Sequence, residues 1–324
     1  MKRLSRLAHS LVALACAIVC MQALAQNYPV KPVRVVVPFL AGGAVDVGMR
    51  AVGQKLSEIW KQPVVVENRP GAGGNIGAEA IARAAPDGYS LLCTSNALAL
   101  SPSLYRKLPY DASRDFIPLF QFNSSYLVLV VDPKLAAGTV TAFIDFVRAN
   151  PGRVAYGSTG VGAAPHLVME QFKVRAGLDL LHVPYKGDTQ VTGALLSGDV
   201  QAAFLTPSSV MAPVRSGRLR AIGVTKLGRA AALATVPPIA DTVPGFEYSG
   251  YVGLYAPSGT PKEIVAQIQR DIARVFAIPD LQERLAAAGF EPPSTAPEEF
   301  AVRYHRDIAT FTQIVRDAKI PQQD

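Results

Sequence analysis

Apolar residues follow two rhythms along this chain, and the two alternate. Val33 to Phe39 (VRVVVPF) is a continuous apolar run of strand-forming residues. Behind it, Val45, Met49, Val52, Leu56 and Ile59 fall at spacings of four and three, which predicts one buried face of an amphipathic helix. Pro63 to Glu67 predicts a second strand with a helix over Ile76 to Ala84 behind it, and Ser90 to Thr94 predicts a third. The theme repeats with strands at Tyr126 to Val131, Val154 to Gly157, Leu180 to Tyr185, Val200 to Leu205, Leu219 to Thr225 and Tyr251 to Ala256. These runs are apolar on consecutive residues, as expected of strands covered on both faces. Strand–helix alternation of this kind predicts an α/β protein of mostly parallel sheets with helices on either side. Thr260 and Glu263 predict a capping box around Pro261, opening a helix with the stripe Ile264, Ile268, Ile272 and Val275. Phe300, Tyr304, Ile308, Phe311 and Val315 give the last helix the same logic.

The first 25 residues belong to a different object. Lys2, Arg3 and Arg6 precede a short apolar stretch from Leu11 to Val19, and Ala23-Leu24-Ala25 has the small-x-small form of a signal peptidase site. Residues 1–25 are therefore expected to be a signal peptide, the mature chain to begin at Gln26, and the protein to work in the periplasm. Cys16 and Cys20 lie in poor lipobox contexts, since Ala13 and Ala17 replace leucine and Val19 is bulky. Cleavage lowers the formal charge from +7 to +4, a mild positive balance with no basic cluster to serve as a nucleic-acid footprint. It also leaves Cys93 as the last of three cysteines, expected to be an inert core thiol. The 324 residues suffice for two ordinary domains. We expect a discontinuous first lobe (26–123 and 249–324) with a second (124–248) inserted into it. Crossings near Phe122–Ser125 and Gly245–Gly250 would then act as hinges, with a ligand cleft between the lobes.

Three glycine-rich segments join predicted strands to predicted helices: Pro38 to Asp46, Asn68 to Gly77, and Gly157 to His166. Free N–H groups and the positive helix end at such a junction suit an anionic oxygen, although glycine also simply closes short turns. Gly71, Gly73 and Gly77 resemble a reductase dinucleotide spacing, but they follow the second strand and no Tyr-x-x-x-Lys pair lies downstream. The third loop has Ala163 and Ala164 where a phosphate loop needs Lys and Ser/Thr. His166, His182 and His305 are too dispersed for a local metal motif. His305 reads as structural or solvated and His182 as a core residue, leaving His166 as the functional candidate, a hydrogen-bond donor. Ser158 has no nucleophile elbow around it, so no catalytic group is expected.

Taken in order, the stretches YPVKPVRVVVPFLAGGAVD, QPVVVENRPGAGGNIGAEAIARAAPDGYSLL, LYRKLPYD, NPGRVAYGSTGVG, HVPYKG, LRAIGVT and GLYAPSGTPKE resemble the substrate-binding proteins of tripartite tricarboxylate transporters, the Bug-type extracytoplasmic receptors. They span nearly the whole mature chain. The resemblance implies a two-lobed, type II periplasmic-binding-protein-like fold that closes on a small carboxylate, held by loop N–H groups and waters rather than by an arginine. It places Phe39, Ala41, Gly42, Gly43 and Asp46 at the pocket edge, where Asp46 reads equally well as a plain helix-start acid. Asn75, Gly77, Ser95 and Asn96 join them. Ser158, Thr159, Gly160, His166, Tyr185 and Leu205 are expected to face them from the other lobe, with Lys186 either attracting anions or merely solvated. Leu205 stands in the run Phe204-Leu205-Thr206-Pro207 where relatives commonly carry an acidic residue, which disfavours an amine-bearing ligand. Ala44, Ala163 and Ala164 replace hydroxyl-bearing residues and Asp188 replaces a small one, so an aromatic or otherwise apolar acid is expected.

The expectation is thus a monomeric, non-catalytic solute receptor with no cofactor and no metal, whose partners are a small carboxylate and membrane transporter subunits. Two rivals stand beside it: a receptor presenting its ligand to a membrane sensor kinase, and a small nucleotide-dependent reductase.

Overall fold

The computed structural model describes residues 28–228, 230, 233–287, 290 and 296–323. The signal-peptide reading of residues 1–25, with Cys16 and Cys20, lies outside them. The chain divides into two compact units. One runs to Leu98 and adds Pro109–Phe122 and Val252–Val302; the other comprises Ala99–Leu108, Asn123–Tyr251 and the chain from Arg303. The second unit thus takes up residues 99–108 and the end of the chain from 303, which the sequence assigned to the first lobe. Among the described residues no helix is long and apolar enough to cross a membrane.

The first unit is built on β1 (Val33–Val37), α1 (Ala44–Trp60), β2 (Val64–Asn68), α2 (Asn75–Ala82) and β3 (Ser90–Ser95). The short helix α3 (Ala97–Leu104), most of which belongs to the second unit, follows, then β4 (Phe116–Ser125), which runs on into the second unit at Asn123. The sheet order is β2-β1-β3-β10-β4, where β10 is Gly250–Pro257. β1 runs parallel to both neighbours, with Val35 opposite Val66 and Leu91, while β10 returns antiparallel to β3. Val35, Met49, Leu56, Leu91, Leu254 and Ile272 meet in one apolar core. β4 escaped the apolar-run reading because Gln121 and Asn123 interrupt it; both are buried.

Two helix readings need correction. Ile59 is 40% exposed, and the stripe of α1 closes instead on buried Trp60, four residues beyond Leu56. Its indole Nε1 donates to Asp271 Oδ2 at 2.8 Å, tying α1 to α8 (Lys262–Phe276). The capping box at Thr260 does not form. That hydroxyl donates instead to the Pro257 carbonyl at 2.8 Å, and Pro261 occupies the N-cap position without a side-chain bond. The stripe below it holds: Ile268, Ile272 and Val275 are fully buried. α9 (Pro279–Ala287) and α10 (Pro297–Asp317) follow. Phe300 and Tyr304 are fully buried in α10, and Phe311 and Val315 nearly so.

In the second unit, β5 (Val128–Val131), α4 (Val140–Ala149), β6 (Ala155–Ser158), α5 (Ala164–Ala176), β7 (Leu181–Pro184), α6 (Asp188–Ser197), β8 (Ala202–Leu205), α7 (Pro207–Arg215) and β9 (Arg220–Val224) follow in turn. The order is β7-β6-β8-β5-β9, with β6 parallel to β7 and β8, and β5 antiparallel to β8 and β9. β8 shows why its sequence lacks alternation. Ala202 and Phe204 enter one apolar cluster with Phe143 and Phe172, while Ala203 and Leu205 enter another with Val191 and Val210. Cys93 is fully buried, and burial, with a smaller push from the Asp46 charge, drives its thiol pKa far up, which makes it inert.

The Trp60–Asp271 tie is testable. Trp60→Phe keeps most of the apolar contact but removes a donor from a buried carboxylate, at a cost of about 1–3 kcal/mol. In urea titrations its midpoint should fall clearly, whereas Ile59→Ala on the exposed side should shift stability by less than about 1 kcal/mol. Equal losses would restore Ile59 to the stripe.

Candidate functional site

A parallel strand that feeds a helix must turn at its C-terminal end, so each unit gathers its glycine-rich turns along one edge of its sheet. In the first unit this edge carries Phe39 to Gly43 after β1, Arg69 to Gly74 after β2, and Ser95–Asn96 after β3. In the second it carries Thr159 to Ala163 after β6, Tyr185 to Gly187 after β7, and Thr206 after β8. α1, α2, α5 and α6 all start at these edges without a side-chain cap. α4, by contrast, is capped in the ordinary way, with Thr139 Oγ1 accepting from Ala142 N at 3.1 Å. Uncapped helix starts leave N–H groups and a partial positive charge for water or for an anion.

On the first edge, Gly42 has φ +82° and an added Cβ would meet nothing within 4 Å, so this glycine serves the turn and leaves the backbone open. Its N–H donates to Asp46 Oδ2 at 2.9 Å, while Arg50 Nε and Asn68 Nδ2 each reach Asp46 Oδ1 at 2.9 Å. The same Asn68 amide nitrogen donates to the Phe39 carbonyl at 3.1 Å. Burial pushes the Asp46 pKa up, but Arg50, the Gly42 N–H and Asn68 outweigh it and hold the carboxyl below its usual range. Of its two readings, Asp46 is therefore a brace inside the loop, only 2% exposed. Phe39 is half-buried, and Ala41, Gly42 and Gly43 are exposed.

The second loop needs glycine for two different reasons. Gly71, Gly73 and Gly74 have φ of +133°, +65° and +103°, a region that side chains disfavour. Gly77 lies inside α2, where an added Cβ would come within 2.8 Å of Pro38 Cβ, so it sets the approach of α2 to the end of β1. The three glycines resembling a dinucleotide fingerprint thus split between turn geometry and helix packing. Asn75 is buried, its Oδ1 accepting from the Tyr110 hydroxyl at 2.7 Å. Ser95 Oγ accepts from Ala97 N at 3.3 Å, and both Ser95 and Asn96 are half-buried.

The second edge holds a network that the sequence reading missed. Tyr156 and His182 sit opposite each other in the β6–β7 register. His166, from α5, completes a column of rings: its centroid lies 4.0 Å from that of His182, which lies 4.9 Å from that of Tyr156. His182 is thus half-buried and engaged, not a plain core residue: its Nε2 is 2.6 Å from Ser158 Oγ. Gly160 N donates to the same Oγ at 3.2 Å, and the Gly160 carbonyl lies 3.2 Å from it. One assignment satisfies this group, with His182 Nε2–H donating to Ser158 and Ser158 donating to Gly160. His166 Nδ1 accepts from Gly162 N at 3.0 Å, which puts its proton on Nε2. Burial first, then neighbouring His182, against an opposing Glu170 and with a smaller push from Lys173, lower the His166 pKa to about 4. Burial chiefly lowers that of His182 as well. At the end of the column Glu170 Oε1 accepts from the Tyr156 hydroxyl at 2.5 Å and from Lys173 Nζ at 2.7 Å.

Ser158 is fully buried and Thr159, Gly160 and Tyr185 are half-buried along this edge. Leu205, expected at the pocket, is fully buried in the apolar cluster with Val128, Val191 and Val210. The residue after it reaches the edge instead: Thr206 Oγ1 donates to Asp188 Oδ2 at 2.5 Å, tying the starts of α7 and α6 together. Period-two counting from His182 and Tyr156 held the signal for the ring column, but it needed the strand register to be read.

Two α/β units of five strands each, with open helix starts along the C-terminal edges of their parallel strands, define the class of periplasmic solute-binding proteins. The sequence pattern of the tripartite tricarboxylate transporter family receptor matches residues 49–317, and the chain belongs to this family. It is 35% identical to BugT of Bordetella pertussis, over 90% of this chain and 91% of that protein. A solved R. palustris protein with adipate is 30% identical, covers 92% of this chain and 100% of its own, and superposes with a TM-score of 0.73. MatC from Rhodopseudomonas palustris, with bound malate, is 27% identical over 89% of this chain and 100% of its own, with a TM-score of 0.70. Family and fold are those of substrate-binding receptors, and the family implies a periplasmic location.

The buried histidine makes a pH prediction. A histidine whose folded pKa lies below its unfolded value lets the unfolded chain bind the extra proton between the two. Its contribution is then complete above about pH 6.5 and is lost as pH falls toward about 4. Thermal unfolding should fall more steeply over that window in the parent than in His166→Gln, which carries no titrating ring. Parallel profiles would mean that His166 is not held neutral by the fold.

Proposed function

We propose that this protein is a monomeric periplasmic receptor that captures a small carboxylate with an apolar body and hands it to a tripartite tricarboxylate-type transporter. The observation that carries the reading is the pair of glycine-rich edges, each of which leaves uncapped helix starts. The N–H groups of Gly42, Gly160 and Gly162 already bond Asp46, Ser158 and His166, so the donors for an anion are those of the first helical turns, each charge-assisted bond contributing about 1.5–3 kcal/mol. The buried acid of the first edge fits the same scheme: Asp46 takes three donors, one of them the Arg50 guanidinium, which offsets its charge toward a carboxylate. Ala41, Ala44, Ala163 and Ala164 stand beside the turns with no hydroxyl to offer, which favours an apolar ligand body over a heavily hydroxylated one. The relatives solved with adipate and malate support the carboxylate class.

The test is a thermal-shift series with the acid that co-purifies, identified by mass spectrometry, and its neutral primary amide. The amide turns one acceptor oxygen into an NH₂ group facing N–H donors, leaving buried groups unpaired at about 1–3 kcal/mol each. It should bind at least about tenfold more weakly, with a correspondingly smaller shift. Equal shifts would mean that the glycine loops are turns alone. Capture of the transporter's membrane subunits by the ligand-loaded protein, and not by the ligand-free form, checks the delivery step.

A further inference from the structure

The second unit contains a recess that the glycine-rich edges do not use. It lies between α5 and the C-terminal part of α10, in two adjoining hollows of about 340 Å³ and about 230 Å³ that share Gln171, Arg175, Thr310 and Ile314 as walls. None of its lining residues lies on the β6, β7 or β8 turns. We propose that this recess is a separate binding site for a second small carboxylate with a short apolar body.

Two side chains one turn apart on α5 carry the inference. Gln171 is only 7% exposed as a whole, yet it lines the recess and its amide is not among the buried polar groups left without a partner, so the amide opens onto the recess. It offers both a donor and an acceptor there. Arg175 follows at the spacing that puts it on the same face. Among the described residues no acid pairs with its guanidinium. Nη1 lies 3.2 Å from where a Cβ on Gly245 would sit, so the absence of a side chain there leaves room for it. The other cations of the recess are ion-paired, while the acids Asp317 and Glu247 have no cation partner among the described residues. Arg303 and Arg306 reach Asp307 at 3.5 and 3.9 Å, and Asp317 accepts from the Gln313 amide at 2.7 Å. Arg303 also donates to the Ser249 carbonyl and lies 4.6 Å from the centre of the Tyr251 ring. Glu247 lines the second hollow as an exposed acid.

Arg175 is therefore a cation without an acid partner among the described residues, beside an amide that opens onto the same recess. A guanidinium fork takes the two oxygens of a carboxylate in parallel, and the Gln171 NH₂ adds a third donor. Val174, half-exposed, and Ile314 supply the apolar wall against which a short hydrocarbon body rests. An amine of the same shape meets Arg175 with like charge and gains nothing.

The experiment titrates the full mature protein, ¹⁵N-labelled, with hexanoate and, separately, with hexylamine, following the Gln171 side-chain NH₂ and the Arg175 Nε–H by NMR. Hexanoate should shift both signals saturably and hexylamine should shift neither. Arg175→Met should weaken hexanoate binding at this recess at least about tenfold, as loss of a bidentate charged pair requires. Gln171→Leu, which keeps the volume, should weaken it less but measurably. Both variants should keep the parent's affinity for the co-purifying acid, which separates this recess from the glycine-rich edges. Absence of saturable shifts, equal response to hexylamine, or unchanged hexanoate affinity in both variants would overturn the proposal.

Discussion

Where a parallel strand hands over to a helix, the chain turns at the strand's C-terminal end and the helix begins there with its first N–H groups unbonded. This constraint organises the protein. β1, β2 and β3 in one unit and β6, β7 and β8 in the other run parallel within their sheets, and so bring their turns to one edge. Glycines at φ +82°, +133° and +130° (Gly42, Gly71 and Gly160) make those turns tight. The absence of side-chain caps on α1, α5 and α6 leaves those helix ends open, while a 3-10 turn over Ala72–Gly74 feeds α2 and takes the N–H of its first residue. The proposed recognition of a carboxylate by backbone rests on this arrangement.

The turns keep their shape because buried polar groups brace each edge. Asp46 joins Gly42, Arg50 and Asn68, fixing the first turn from inside. Ser158, His182, His166 and Gly162 do the same for the third, with neutral rings in place of a charge. A saturated carboxylate and histidines held neutral add little field to the edge itself. Such networks are costly when half satisfied, which gives them leverage over loop geometry.

Much of this was legible in the sequence because it is set by local rules. Consecutive apolar runs marked most of the strands, and glycine placement marked the three turns. What was lost depended on register and on distant neighbours. His182 read as core because its partner Ser158 lies on another strand, 24 positions earlier. Leu205 read as a pocket residue because its place in the chain was right, while the strand's alternation turns its side chain into the core and leaves Thr206 at the edge. Trp60 displaced Ile59 because a buried acid on α8, Asp271, waits for its indole. Gly77 also has a packing role, which only the 2.8 Å approach of Pro38 reveals.

A crystal structure of the protein with its co-purifying acid tests the central claim most directly. The account predicts carboxylate oxygens within about 3 Å of backbone N–H groups at the glycine-rich turns. It also predicts that Asp46 and the Ser158–His182 pair keep the bonds they make in the free protein. A carboxylate gripped by an arginine side chain away from both edges, with the turns empty, would contradict it.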